Sequence, residues 1–347
     1  MPNLTTTIQL IKRASTVLVF LFLVSLLLVA IFFRYQKKAP QEAPPVPISS
    51  PIINQNPNQK QPALLNLSQL ETATIPENLP AFIAQKYTIT DIAAQTLAKG
   101  FGITNNPSFV EEETLDGKQY NWDEGNLSLT VSQTSLLFKN KTKITGVKLS
   151  LKELKEKAAF FVQKVPLADN LAIDDQKTKY LTITDKDRLK SASSFENAHL
   201  VEFSYQKNLS GLPLLTNQPD SPYTSIDIAK DGQVVYLSSR FFEKFTQLDS
   251  YPIKSASEAV DQIKNGQGKI VLTQILDENG QALELFRNQP ININSALINK
   301  LSLAYFLPDN PQETIQPIFV AEGNFQRENE KGRVLIYLAA IKSLIQP

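Results

Sequence analysis

Apolar and polar positions fall into three regimes along the chain. Residues Ala14 to Phe33 (ASTVLVFLFLVSLLLVAIFF) form an unbroken apolar run, closed by Lys12 and Arg13 before it and by Arg34, Lys37 and Lys38 after it. At 1.5 Å per residue, about 20 residues span a hydrocarbon core of roughly 30 Å. The run therefore predicts a single-pass transmembrane anchor. A cleaved signal peptide has a shorter apolar stretch and a small-residue cleavage site, whereas this run ends in Phe32–Phe33–Arg34. The flanking charges nearly balance, so the positive-inside rule gives little direction. The following spacer and the absence of cysteine favour an N-terminus inside and a bulk that is extracytoplasmic at the cell membrane.

The second regime is polar and rich in proline. Pro40, Pro44, Pro45, Pro47, Pro51, Pro57 and Pro62 fall among Asn, Gln and Ser, with no glycine. Proline fixes φ and removes amide donors, which favours extended polyproline II over helix or sheet. Residues 34–80 are expected to be a semi-rigid linker after a short tail over 1–13 and the anchor over 14–33.

In the third regime, short helical and alternating patterns take turns. Three amphipathic runs open with a hydroxyl followed three residues later by a carboxylate, the signature of a capping box. They are Thr88/Asp91, Ser150/Glu153 and Ser255/Glu258, and the first and third end near Gly100 and Gly266. Strand-like runs follow each helix. Asp116–Gly117, Asp231–Gly232 and Asn279–Gly280 supply the turn chemistry of antiparallel hairpins. Further strands are expected at 127–131, 135–139, 179–184, 199–205, 297–306, 315–323 and 333–341. The layout predicts an α+β fold, with repeated α-β-β-β units on antiparallel sheets and two lobes over 81–190 and 191–347.

Composition narrows the chemistry. The chain has no cysteine and one histidine, His199, which excludes thiolate chemistry, disulfides and multi-histidine metal centres. Net charge is +1; removing the six basic and three acidic residues before position 81 leaves 29 against 31, a net of −2. No basic footprint for nucleic acid remains. Ser204 and Lys207 match SxxK, but that chemistry needs one helical turn between them, and here they sit on a strand. His199 and Ser204 would face opposite ways on the same strand, so no triad forms from neighbours. Among the carboxylates, Glu202, Asp227 and Glu322 lie in or beside strands and are the candidates for paired-acid hydrolysis of glycan. Glu111–Glu112–Glu113 and Asp174–Asp175 read as solvated loop charges. Phe160, Phe161, Phe241, Phe242, Phe245, Tyr305, Phe306 and Tyr337 read as core. The sequence assigns no catalytic residue, no cofactor-binding residue and no metal ligand.

The run from His199 to Arg240 contains VEFSYQ, then GLPL (Gly211 to Leu214), then DGQVVYLS, an order that resembles PepSY and related propeptide modules. YPIKSASEAVDQIKNGQG (251–268), LSLAYF (301–306), QPIFVAEG (316–323) and YLAAI (337–341) look like the C-terminal part of the YycI/YycH family. Those proteins are membrane-anchored, extracytoplasmic regulators of sensor kinases, and PepSY modules are associated with restraining proteases. The resemblance implies a PepSY-like fold without catalysis: a membrane-anchored, non-enzymatic module that binds and regulates another envelope protein. The alternatives are a carboxylate-dependent hydrolase of cell-wall glycan and a purely structural surface tether.

Overall fold

The computed structural model describes Ser25 and residues 48–53, 64–68, 70–72, 74–114, 117–142, 148–166, 171–183, 189–242, 244–276, 293–309, 314–327 and 330–342. Residues Pro47–Pro347 make one compact unit, whose fold follows. The anchor expected over Ala14 to Phe33 lies outside the described residues apart from Ser25, which is helical. No helix among the described residues is long and apolar enough to cross a membrane. The longest has 12 residues, or about 18 Å, little more than half a hydrocarbon core. Among the described residues, then, nothing takes the part of the single-pass membrane anchor read from the sequence.

In chain order the elements are β1 (Leu64–Asn66), β2 (Glu71–Thr72), β3 (Asn78–Gln85), α1 (Asp91–Gly100), β4 (Phe109–Thr114), β5 (Gly117–Glu124), β6 (Leu127–Val131) and β7 (Ser135–Asn140). Next come α2 (Leu151–Val162), β8 (Leu171–Ile173), β9 (Lys179–Ile183), β10 (Leu189–Ser191), β11 (Leu200–Leu209), β12 (Leu212–Leu215), β13 (Thr224–Ala229), β14 (Val234–Arg240) and β15 (Lys244–Pro252). The chain closes with α3 (Ala256–Lys264), β16 (Lys269–Leu276), β17 (Ser295–Phe306), β18 (Thr314–Arg327) and β19 (Glu330–Ala339).

This is a mostly-β fold and corrects the expected α+β class of repeated α-β-β-β units. Ladders join all 19 strands into one mixed network, against three helices among the described residues. Eight strands, not three, separate α2 from α3. Three of the eight, β8, β10 and β12, have three or four residues, too few alternations to show in a sequence, and the nine-residue β15 lies where no strand was expected. The stretch read as a spacer supplies β1, β2 and the start of β3. Nor is the pairing all antiparallel, because β1, β2 and β12 run parallel to β17.

One region is antiparallel throughout, ordered β4-β5-β6-β7-β14-β13-β11, with β8 and β9 sharing the far side of β11 and β10 beyond β9. Helices α1 and α2 cover one of its faces, burying Leu154, Ala158 and Ala98 against Trp122, Phe138, Phe203 and Ile226. In the other region β16-β19-β18-β17 form the sheet, with β3 between β15 and the start of β18. There α3 buries Ala259 and Ile263 against Ile298, Phe319 and Ile336. The hairpin β11–β12 links the regions: it turns on Ser210 (φ 47°) and Gly211 (φ 80°), and β12 then pairs with β17. Positive φ at both central residues is the two-residue turn that suits strand twist.

Local chemistry sets the helix starts. Ser150 and Ser255 form the expected capping boxes with Glu153 and Glu258. At α1 the cap is Thr90, whose hydroxyl accepts from Ala93 N at 3.2 Å, and not Thr88. With Thr90 as the cap, Asp91 is the first residue of the helix and not the third, so it closes no box; it pairs instead with Lys118 Nζ (2.8 Å) and the Tyr120 hydroxyl (2.5 Å). Gly117 and Gly232 take positive φ at their hairpins as expected; the Asn279–Gly280 turn lies outside the described residues.

Candidate acidic row on the open face of the antiparallel sheet

Alternation along β11 sends Val201, Phe203 and Tyr205 into the core beneath the helices, which leaves Glu202 and Ser204 on the opposite face. On β13 the core positions Ile226 and Ile228 likewise leave Asp227 there. Glu202 and Asp227 are direct cross-strand partners, Glu202 also sits opposite Lys179 of β9, and Asp227 sits opposite Tyr236 of β14. Four neighbouring strands thus line up Lys179, Glu202, Asp227 and Tyr236 in one row.

The row is unevenly compensated. Lys179 Nζ donates to Glu202 Oε1 at 2.9 Å, and this pair is part-buried. Asp227 is only 8% exposed. Like charges directly opposite each other on a sheet repel, and a carboxylate removed from water favours its protonated form. Burial first, then the Glu202 charge, push the Asp227 carboxyl up to about 7, with Lys179 opposing. Two carboxylates and one ammonium leave one charge that a proton neutralises near neutral pH. Chemically the row can hold and release a proton.

The paired-acid expectation is therefore met in placement but not in geometry. A glycosidase needs its two carboxyls on either side of a scissile bond, whereas Glu202 and Asp227 stand side by side on one face. Glu322 belongs to the other region, 3.6 Å from Lys300 Nζ and 3.5 Å from Arg333. Arg333 also lies 3.9 Å from Asp220, which accepts from Gln274 Nε2, so these charges pin the loop before β13 to the sheet. Among the described residues no group of three or more His, Asp or Glu could hold a metal ion.

The other candidates have structural places. His199 Nδ1 accepts from Ile183 N at 3.0 Å and lies 2.9 Å from Thr182 Oγ1, which ties the start of β11 to β9 and puts the neutral ring's proton on Nε2. Ser204 Oγ donates to Lys177 O at 3.4 Å, and Lys207 Nζ lies 6.0 Å from the Phe245 ring centre. Asp175 pairs with Lys155 at 2.7 Å, and Asp174 lies 3.9 Å from Lys177. Glu111 is exposed on β4. Phe241, Phe242, Tyr305, Phe306 and Tyr337 are buried, and Phe161 and Phe245 half-buried, as core. Phe160 differs: it is exposed on the outer side of α2, with Lys164 Nζ 5.6 Å from its ring. Sequence reasoning missed Lys179, Tyr236, Asp220 and Arg333. Their only signal was alternation within strands, which carries no register.

A cavity of about 570 Å³ lies between the end of β15 and the start of α3, lined by Pro76, Asn78, Lys254, Ser255 and Lys342 among others. Its polar groups are engaged within the chain. Glu258 accepts from Ser255 N at 2.6 Å and lies 3.5 Å from Lys342, and Lys254 Nζ donates to Ala339 O at 2.7 Å.

No family model and no curated protein matches this chain. Among solved structures, it is similar to an uncharacterised protein from Eubacterium rectale, at 14% identity and a TM-score of 0.46, over 81% of this chain and 89% of that one.

Proposed function

We propose that this chain is a non-enzymatic module that binds another protein through the outer edge of β4. The observation that carries the reading is the character of that edge. β4 pairs on one side with β5 and, among the described residues, has no strand on the other. Its first two residues, Phe109 and Val110, are 58% and 38% exposed. A free edge offers a row of backbone donors and acceptors, and an extended partner segment that joins it gains a ladder plus side-chain contacts. Exposed apolar residues on such an edge favour a partner that covers them. Glu111, exposed on the same strand, follows, so the segment that fits is extended, apolar at its start and basic opposite Glu111. The PepSY-like and YycI/YycH-like order of motifs over 199–341 supports the same partner-binding role.

The test places a photo-crosslinking residue at Glu111, next to the exposed pair, in cells and compares the otherwise unchanged chain with a Phe109→Asp, Val110→Asp variant carrying the same residue. Both side chains are exposed, so the variant is expected to fold. A specific adduct that disappears in the double variant and persists in a Phe160→Asp control supports the reading. Equal adduct in all three, or none with Phe109 and Val110 unchanged, removes it.

A further inference from the structure

The cavity between the end of β15 and the start of α3 has the volume of a small-molecule site, about 570 Å³. Its lining joins apolar Ile75, Pro76 and Pro252 to two lysines, Lys254 and Lys342. A short antiparallel bridge sets the lysines together. Ile253 faces Ile341, and beside that pair Lys254 N donates to Ala340 O and Lys342 N to Pro252 O, each at 2.9 Å. Alternation then puts Lys254 and Lys342 on one face, diagonal to each other. Their charges are not balanced. The nearby carboxylate is Glu258, whose Oε2 accepts from Ser255 N at 2.6 Å and from Ser255 Oγ at 2.9 Å and lies 3.5 Å from Lys342 Nζ. Lys254 Nζ donates to Ala339 O at 2.7 Å, which occupies one of three donors and cancels no charge. Burial holds the Lys254 pKa below its usual value, with the Glu258 charge opposing. Glu77 also lines the cavity, but it is exposed, and among the described residues it pairs with neither lysine.

We propose that this cavity binds a small monocarboxylate with an apolar body. Two ammonium groups and one carboxylate leave a single positive charge, which one further carboxylate neutralises. Such a group bridges the two lysines and takes up the Lys254 donors that the described residues leave open, while its apolar part covers Ile75, Pro76 and Pro252. The helix start gives the lysines their setting and not a ligand contact, because the Ser255 amide and hydroxyl are already taken by Glu258. A bare inorganic anion answers the charge and leaves the apolar lining in water; an apolar alcohol does the reverse. No residue of β4 lines the cavity, so ligand and protein partner meet different surfaces.

The test titrates the full chain with phenylbutyrate, acetate and phenylbutanol by calorimetry. Saturable binding of phenylbutyrate is expected, with acetate and the alcohol each weaker by about 10-fold or more. Lys254→Gln and Lys342→Gln should each weaken phenylbutyrate by about 10-fold, and Lys190→Gln, on β10, should leave it unchanged. Lys342 is exposed, so its variant keeps the fold, which an unchanged far-UV circular dichroism spectrum checks. No saturable binding, acetate or the alcohol as tight as phenylbutyrate, or equal affinity in Lys342→Gln and the parent chain overturns the proposal.

Discussion

Asp227 sets the clearest test at the scale of one residue. An unfolded aspartate titrates near 3.9, and here burial and the neighbouring Glu202 raise it to about 7. Between about pH 4 and pH 7 the folded chain holds a proton that the unfolded chain has released. This contribution is therefore most favourable below about pH 4, falls as pH rises, and is fully lost above about 7. Across that window the loss amounts to a free energy on the order of 4 kcal/mol. Asp227→Asn keeps the shape and removes the charge. Urea melts should show the variant more stable than wild type at pH 8 and similar to it at pH 4. An equal difference at both pH values would mean that Asp227 is solvated as an ordinary carboxylate. The sequence marked Glu202 and Asp227 as acids on strands, which they are. What it could not show is that they are neighbours, because alternation carries no register across β12 and the loop that separate β11 from β13 in the chain.

At the scale of elements, two glycines of one sheet answer to different neighbours. A Cβ on Gly323 would lie 2.4 Å from Leu297 O and 3.0 Å from Ile298 Cα, where the ladder to β17 shifts register between Ile298 and Lys300. A Cβ on Gly332 would meet the cross-strand Phe325 ring at 2.0 Å, and that side chain can turn. Backbone does not give way as a ring does. Gly323→Ala should therefore cost about 2–3 kcal/mol and Gly332→Ala about 1, read as the order of their Tm values. The reverse order would show that the bulge opposite Gly323 relaxes more easily than the aromatic contact. Elements with local chemistry were legible: Ser150/Glu153 and Ser255/Glu258 cap helices, and Gly117 and Gly232 turn hairpins. Thr88 fits the pattern because Asp91 lies three residues on, but the cap is Thr90, whose third residue is Ala93 and carries no carboxylate, so the pattern could not point to it. β1, β2, β8, β10 and β12 owe their existence to longer partners, so their own residues say little.

At the scale of the whole molecule, the order of strands along the chain decides what can fold alone. Every strand of the fully antiparallel region lies between Phe109 and Arg240, and among the described residues α1 and α2 are the α-helices packed on it. The other region is assembled from both ends: β3 precedes all of that span, yet it pairs with β15 and β18, and the Tyr305 hydroxyl donates to Pro80 O at 2.9 Å. Its contacts cross more than 150 residues of sequence, for example Asn78 with Pro252, and such closures are slow to form. A fragment of residues 86–242 holds a whole sheet, its helices and the single tryptophan, Trp122, buried in its core. It should fold by itself, with Trp122 fluorescence and far-UV circular dichroism melting together. A fragment of residues 243–347 keeps α3 and β16–β19 but lacks the strand that joins β15 to β18. It should stay unfolded until a peptide of residues 64–85 is supplied, and then gain strand signal in a saturable way. If the later fragment folds unaided, β1, β2 and β3 are decoration on a finished sheet; if the earlier one fails, its core depends on β12 reaching across to β17.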